Sequence, residues 1–487
     1  MRKIIDKKLL PDAPPLRELY ERIGGGAPAI DVRGMAGAAR PLATALLFER
    51  LDRPLAVICP TPREAELFAR DLGLFLGPDA VLHYPPLDFL SIDMFALQRD
   101  EELARLGALT RLQVEDRRIF VTCFTALMQK VMPLAEFQRY LKILAAGDPL
   151  LLQEFPARLA AGGYSRVALV EEPGEFSLRG NILDIFPPTE KTPLRLEMAG
   201  DEIESIRRFD TATQRSGPAV EAFVLGPAGE ILVDEVRQTR AVRNVRRRAD
   251  DLDLPRDLRN RLVETLRRES ATSVNPIFLP LFYEDADDPA GAEILSGVFD
   301  YLPSDTLFCL SDPLAIDQAA QTAAATIDKL LYKARAAGRF YLESATLYLP
   351  REALAARLSG FQHIRLIGLA LDDAASTVPF VTISAPAETT GGDTPAGEVR
   401  EEALLGRTAE KIRARLAAGQ TVFFLSPTPE DTVRMKHLLE GYTLPVRLLS
   451  ADAPLLSVVR DESGDAGLFL REGKISGVSY EMLGEGR

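Results

Sequence analysis

A chain of 487 residues, 46% hydrophobic and 26% charged, is large enough for three or four domains at roughly 100–200 residues each. Its 58 basic against 71 acidic residues leave a net charge of −13, which excludes a body built to coat nucleic acid. No apolar run reaches the ~18 residues of a membrane span, and the N-terminal "MRKIIDKKLLPDAPP" is too charged for a signal peptide, so a cytoplasmic protein without membrane contact is expected.

Residues 28–130 alternate between strand and helix patterns. "PAIDV", "LAVICP", "AVLHY" and "RIFVTCF" read as buried strands, and "RPLATALLFERL", "PREAELFARDLGLFL" and "RDEELARLGALTRLQ" as the helices between them. Such alternation predicts a parallel sheet flanked by helices. In "TPRE", Thr61 is the expected helix cap, with Pro62 in the first turn and Glu64 three residues after the cap. Residues 145–225 change character. One helix, "DPLLLQEFPARLAAGGY", is followed by closely spaced strands "RVALVEE", "GEFSLRGNILDIF", "PLRLEM" and "EIESIRRF", the pattern of a small α+β unit with an antiparallel sheet. Residues 226–383 return to α/β patterning, with a basic helix and the strands "TLFCL", "IRLIGL" and "PFVTIS". Residues 384–397, "SAPAETTGGDTPAG", read as a flexible linker, and 398–487 as a last small α/β domain. The expected class is α/β: a parallel-sheet domain in two segments (1–144 and 226–383), an inserted antiparallel α+β domain (145–225), and the small C-terminal domain.

Cys59, Cys123 and Cys309 each lie in an apolar strand-like run with no CxxC pair, so buried thiols are expected. His83, His363 and His437 are scattered, and neither a metal site nor a Ser-His-Asp or Cys-His arrangement is predicted from them.

The stretch "VRGMAGAARPLA" at 32–43 has the outline of a phosphate-binding loop between a strand and a helix. A working loop reads GxxxxGK[ST], with a lysine for the β/γ-phosphates and a hydroxyl for magnesium. Here Gly34 and Gly37 are present, but the sixth position is Ala39, Arg40 replaces the lysine, and Pro41 replaces Ser/Thr. Proline has neither a hydroxyl nor an N–H. The expected structure is a glycine-containing turn that starts a helix, without a bound nucleotide. "EILVDEV" mimics a metal-binding acidic segment at Asp234 and Glu235, but basic helix follows at once, and a helix start is expected. Asp312, after "LFCLS", has no glutamate following it. Within the arginine-rich 237–268, Arg240, Arg243 and Arg247 share one helical face. They read as a solvated face, with docking to DNA or protein as the alternative; no aromatic residues interleave.

The most informative segment is "GEFSLRGNILDIFPPTEKTPLRLEMAGDEIESIRRFDTATQRS", Gly174–Ser216. Leu194, Leu196 and Met198 alternate with Arg195 and Glu197, so one face packs and the other meets solvent. Arg179 stands beside Gly180, where a bare backbone allows close approach. Arginines on a small sheet of an acidic protein suit bidentate carboxylate recognition, and equally an ordinary solvated face.

This segment resembles the UvrA-interaction domain shared by the excision-repair helicase UvrB and the transcription-repair coupling factors. "HYPPLDFLSIDMF", "LARLGALTRL" and "TCFTALMQKVMP" are similar to the first domain of the coupling factors, and the degenerate loop favours them over UvrB, which keeps its Lys and Thr. The resemblance implies an N-terminal module that binds UvrA. The UvrA-contacting arginines would be Arg179 and Arg195, with Ala199 where the family has an aromatic contact. It further implies that RNA polymerase and DNA are met by other parts of a full-length protein, whose motor would use ATP and magnesium, and that this chain carries no cofactor or catalytic residue of its own. The alternative is a UvrB-like ATP-dependent helicase subunit.

Overall fold

The computed structural model of the chain describes residues 14–35, 37–88, 99–115, 117–267, 274–284, 294–368, 377–379, 383–384, 406, 409–417, 421–459, 467–473 and 480–481. The first four strands are β1 (Ala29–Arg33), β2 (Leu55–Cys59), β3 (Val81–Tyr84) and β4 (Ile119–Cys123). The inserted unit supplies β5 (Lys142–Ala145), β6 (Ser165–Arg166), β7 (Glu175–Arg179), β8 (Ile182–Ile185), β9 (Leu194–Ala199), β10 (Glu202–Phe209), β11 (Ser216–Ala219) and β12 (Ala222–Leu225). The chain then returns with β13 (Leu307–Ser311), β14 (His363–Ile367), β15 (Thr377–Pro379) and β16 (Ile383–Ser384). It ends in β17 (Val422–Ser426), β18 (Val446–Leu448), β19 (Leu468–Glu472) and β20 (Tyr480–Glu481).

The large sheet runs β15-β1-β14-β13-β2-β4-β3, and every pair in it is parallel. Its central strands β13, β2 and β4 are buried at every position, which explains their unbroken apolar sequences. Three of those buried positions are Cys59, Cys123 and Cys309, all free thiols, and burial pushes the Cys309 thiol up to about 12. Helix Pro62–Leu76 starts as expected: Thr61 Oγ1 accepts the backbone N–H of Glu64 at 3.2 Å, with proline in the first turn.

The inserted unit forms a six-stranded sheet ordered β11-β10-β9-β8-β7-β6. Its pairs are antiparallel, as expected, except for the two-residue β6–β7 pairing, which is parallel. The helix predicted over 148–164 shrinks to Phe155–Ala161. Pro149 bridges to Glu202, and the Leu150 N–H donates to the Asp201 carbonyl at 2.8 Å, so the preceding residues join the sheet instead. One face of the sheet packs Phe176, Leu183, Ile185, Leu194, Leu196, Met198, Ile203 and Ile206 into a core separate from that of the large sheet.

The two units meet at close range along helix Arg99–Val114. Arg99 donates to the carbonyls of Ala228 (2.5 Å) and Gly163 (3.2 Å). A Cβ on Gly163 would lie 2.4 Å from the backbone nitrogen of Gly229, and Gly163 has φ +87, so only glycine fits this crossing. Arg105 is fully buried, pairs with the buried Glu230, donates to Gln129 Oε1 at 2.6 Å, and lies over the Tyr84 ring at 4.4 Å.

The last unit is a parallel sheet ordered β17-β19-β18. It docks on the first through the buried Arg471, which donates to the Leu74 carbonyl at 2.9 Å, in the last turn of helix Pro62–Leu76. Leu455 and Leu456 join the core of the large sheet. Of the predicted linker only residue 384 is described, in β16; 385–397 lie outside the described residues. Among the described residues, no helix is long and apolar enough to cross a membrane.

Candidate functional site

Residues 34–35 and 37–38 lead from β1 into helix Ala39–Arg50. Gly34 (φ +85) and Gly37 (φ +51) supply the left-handed conformations that turn the chain, and Pro41 is buried in the helix's first turn. Arg40 faces inward. Its Nε donates to the Met35 carbonyl at 3.1 Å, Nη1 to Ser311 Oγ at 3.3 Å, and Nη2 to Asp312 Oδ2 at 3.4 Å. The cation at the lysine position is thus directed at the fold's own acceptors. Asp312 also caps helix Pro313–Ala336 through the Ala315 N–H. Asp234 likewise caps helix Glu235–Asp251, accepting the Arg237 N–H at 2.7 Å, so the "EILVDEV" segment is the helix start its sequence suggested. Glu230, from the same segment, is buried against Arg105.

The arginine-bearing sheet has a different character. Cross-strand register pairs Ser177 with Asp184, Asp184 with Arg195, Arg179 with Ile182, and Ile182 with Glu197. Strand alternation therefore places Arg179, Ile182, Asp184, Arg195, Glu197 and Ala199 on the face opposite the core. Asp184 sits at its centre and is only 1% exposed. Arg195 grips it with two bonds, Nε to Oδ1 at 2.7 Å and Nη2 to Oδ2 at 2.9 Å, while Arg179 Nη2 reaches Oδ2 at 2.6 Å. Arg195 also donates to the Gln214 carbonyl at 3.1 Å and lies over the Phe209 ring at 4.7 Å. Its hydrogen bonds to Asp184 raise its pKa, so it stays charged in this packed position.

Two arginines thus share one carboxylate, and the cluster keeps a net positive charge. The two differ in access: the Arg195 side chain is 13% exposed and that of Arg179 48%. Ala199 is exposed at the end of β9, paired with Glu202 across the turn at Gly200 and Asp201. The structure therefore brings Arg179 and Arg195 together, with Ala199 on the same face. Sequence reasoning missed Asp184 and Ile182. Alternation within "NILDIF" puts both opposite the buried Leu183 and Ile185, but only hairpin register shows that they meet the arginines.

In the basic stretch, Arg240 donates to the carbonyls of Phe282 and Tyr283, and Asn244 to those of Leu281 and Glu284, together closing the end of helix Leu279–Tyr283. Arg237 is buried between Glu136 and Asp234, and Arg248 is tied to the Tyr341 carbonyl and Glu343. Much of this charge holds the α/β body together. Residue 268 lies outside the described residues.

Residues 143–230 match the family model of the UvrB interaction domain, which contains the whole arginine face. The chain is 32% identical over 368 residues to the transcription-repair-coupling factor of Myxococcus xanthus, a match covering 73% of this chain and 30% of that protein. It is 34% identical over 238 residues to the corresponding factor of Mycobacterium tuberculosis, covering 47% of this chain and 19% of the relative. With that of Escherichia coli it shares 28% over 274 residues, covering 56% and 23%. The chain spans 30% or less of the length of these curated relatives. The resemblance to transcription-repair coupling factors, read from Gly174–Ser216 together with the first-domain segments and the degenerate loop, is borne out.

Proposed function

We propose that this chain, similar to transcription-repair coupling factors over most of its length and carrying a UvrB interaction domain, recruits the damage-recognition protein UvrA through the open face of β7–β9. The observation that carries this reading is the Arg179–Asp184–Arg195 cluster. A buried carboxylate aligns two guanidinium groups, yet neutralises only one of them, leaving a charge on a rigid sheet aimed at solvent. Planar guanidinium groups held in this way suit bidentate recognition of carboxylate or carbonyl oxygens on a protein partner.

In this reading the α/β body is a platform without a motor. Arg40 is committed to Met35, Ser311 and Asp312, and Pro41 offers no magnesium ligand, which supports a scaffold in preference to a UvrB-like helicase subunit. RNA polymerase binding and ATP-driven movement on DNA would belong to the remaining length of the relatives. The chain's part is to bring UvrA to polymerase stalled at a lesion. The test is direct binding of purified UvrA by isothermal titration calorimetry. Arg179→Ala should cost about 2 kcal/mol, roughly 30-fold in Kd, since in the complex its charge is desolvated against its partner. Affinity unchanged by Arg179→Ala removes the assignment.

A further inference from the structure

The docking face has an apolar component as well as a charged one. We infer that Ile182 is its apolar anchor, in a role that Ala199 is too small to fill, and that the face fits a protein surface presenting an apolar side chain beside a carboxylate. This rests on the UvrA reading above and names which residues make that contact.

Register is the first support. Arg179 and Ile182 face each other across the turn at Gly180 and Asn181, and Ile182 pairs on its other side with Glu197. The three form one row over three strands, with neighbouring Cβ atoms about 5 Å apart. Burial is the second. The other large apolar residues of β8 and β9 (Leu183, Ile185, Leu194, Leu196 and Met198) all point into the core, whereas Ile182 is 37% exposed on the opposite face. The core therefore does not account for an isoleucine here. The third support is the electrostatic setting. The Glu197 carboxylate is occupied by Ser205 Oγ at 3.0 Å, and Asp184 lies beneath the two arginines, so the half-exposed Arg179 is the cation beside Ile182.

The end of the sheet explains why position 199 cannot serve. Ala199 contributes a single methyl. The adjacent Gly180, with φ +59, has nothing within 4 Å of where a Cβ would stand. That corner is a shallow step without an apolar projection. An exposed isoleucine alone would be unremarkable. One in line with a braced arginine, on the domain that matches the UvrB interaction family, has the composition of an interface hot spot: an apolar anchor, an Arg, and a polar surround.

The test measures binding of the full chain to purified UvrA for wild type, Arg179→Ala, Ile182→Leu and Ile182→Asp, with melting temperatures checked alongside. Ile182→Asp should weaken binding by about tenfold or more, while Ile182→Leu stays within about threefold of wild type. If Ile182→Asp melts early, Ile182→Ser carries the same threshold without adding charge. Wild-type affinity in Ile182→Asp or its Ser replacement, or equal loss for Leu and Asp, overturns the anchor. If Arg179→Ala is still impaired in that case, the UvrA reading survives. A wild-type chain that fails to bind UvrA overturns both.

Discussion

Asp184 is the residue on which the arginine face turns, and its removal gives the sharpest prediction. Asp184→Ala deletes three charge-assisted hydrogen bonds, from Arg195 at 2.7 and 2.9 Å and from Arg179 at 2.6 Å. The arm to Arg179 is half exposed and counts as a surface pair, about 0–1 kcal/mol. The arm to Arg195 matters more, because its guanidinium stays packed over Phe209 without a counter-charge. Breaking a fully buried pair costs about 3–5 kcal/mol, and Arg195 keeps some solvent and the Gln214 carbonyl, which lowers the figure. The net is about 2–4 kcal/mol of local stability. A chain with several units does not unfold in one step, so the readout is amide hydrogen exchange in β8 and β9 of the full chain. At 1.36 kcal/mol per factor of ten, those amides should exchange roughly 30- to 900-fold faster, while β2 and β4 stay unchanged. UvrA affinity should fall in parallel, because Arg179 loses its brace. Replacing both members, Asp184→Leu with Arg195→Leu, should restore much of the protection but not the binding. Exchange in Asp184→Ala within about twofold of wild type would refute the idea that this carboxylate organises the face.

Two further outcomes follow from other parts of the molecule. His83 on β3 has a ring Nε2 that is buried without a hydrogen-bond partner among the described residues, and burial outweighs the nearby Glu66 in holding its pKa below the ordinary 6.5. A histidine with a depressed folded pKa contributes stability that is present above 6.5 and lost as pH falls through that value toward the folded pKa. The melting transition of the large-sheet unit that carries β3 should therefore move to lower temperature between neutral pH and mild acid. His83→Thr should flatten that slope, and parallel slopes in the two proteins would count against the assignment. At the degenerate loop, calorimetry with Mg-ATP should show no saturable binding up to about 1 mM. Micromolar binding abolished by Arg40→Ala would revive the UvrB-like helicase reading.

Features set by neighbouring residues were legible in the sequence. Thr61 and Asp234 act as caps because capping needs only the next three residues. The central strands β2, β4 and β13 could be read because burial on both faces leaves continuous apolar runs. Features set by distant chain segments were not legible. The helix over 148–164 was overextended because nothing local shows that Leu150 bonds to Asp201. Arg240 and Arg247 look like two members of one solvated face, yet Arg240 closes a helix more than 40 positions further along the chain. At the candidate site the arginines could be picked out, but their shared carboxylate could not. Sequence spacing puts Asp184 five positions from Arg179 and eleven from Arg195, and only the antiparallel register of β7, β8 and β9 brings the three together.

The same register bears on how a docking event on the inserted unit reaches the rest of the chain. The unit leaves and rejoins the α/β body through β5 and β12, which pair antiparallel with each other, so both crossings lie side by side. Just past the second crossing, Arg99 bonds to the Ala228 carbonyl and also to the Gly163 carbonyl inside the inserted unit, and Glu102 accepts the Glu230 N–H at 2.8 Å. Gly163 lacks the side chain that would push the inserted unit away from the Ala228–Gly229 backbone. A buried ion pair such as Arg105–Glu230 adds little net stability compared with an apolar substitute, but breaking it leaves an uncompensated charge, so displacement at the junction is heavily penalised. A flexible tether would need none of this. The junction has the features of a fixed mount, one that keeps the Arg179 and Ile182 row at a constant orientation to the α/β body. In the proposed reading, recruitment depends on where the partner is held, and Arg40, satisfied by Met35, Ser311 and Asp312 within the body itself, takes no part in that placement.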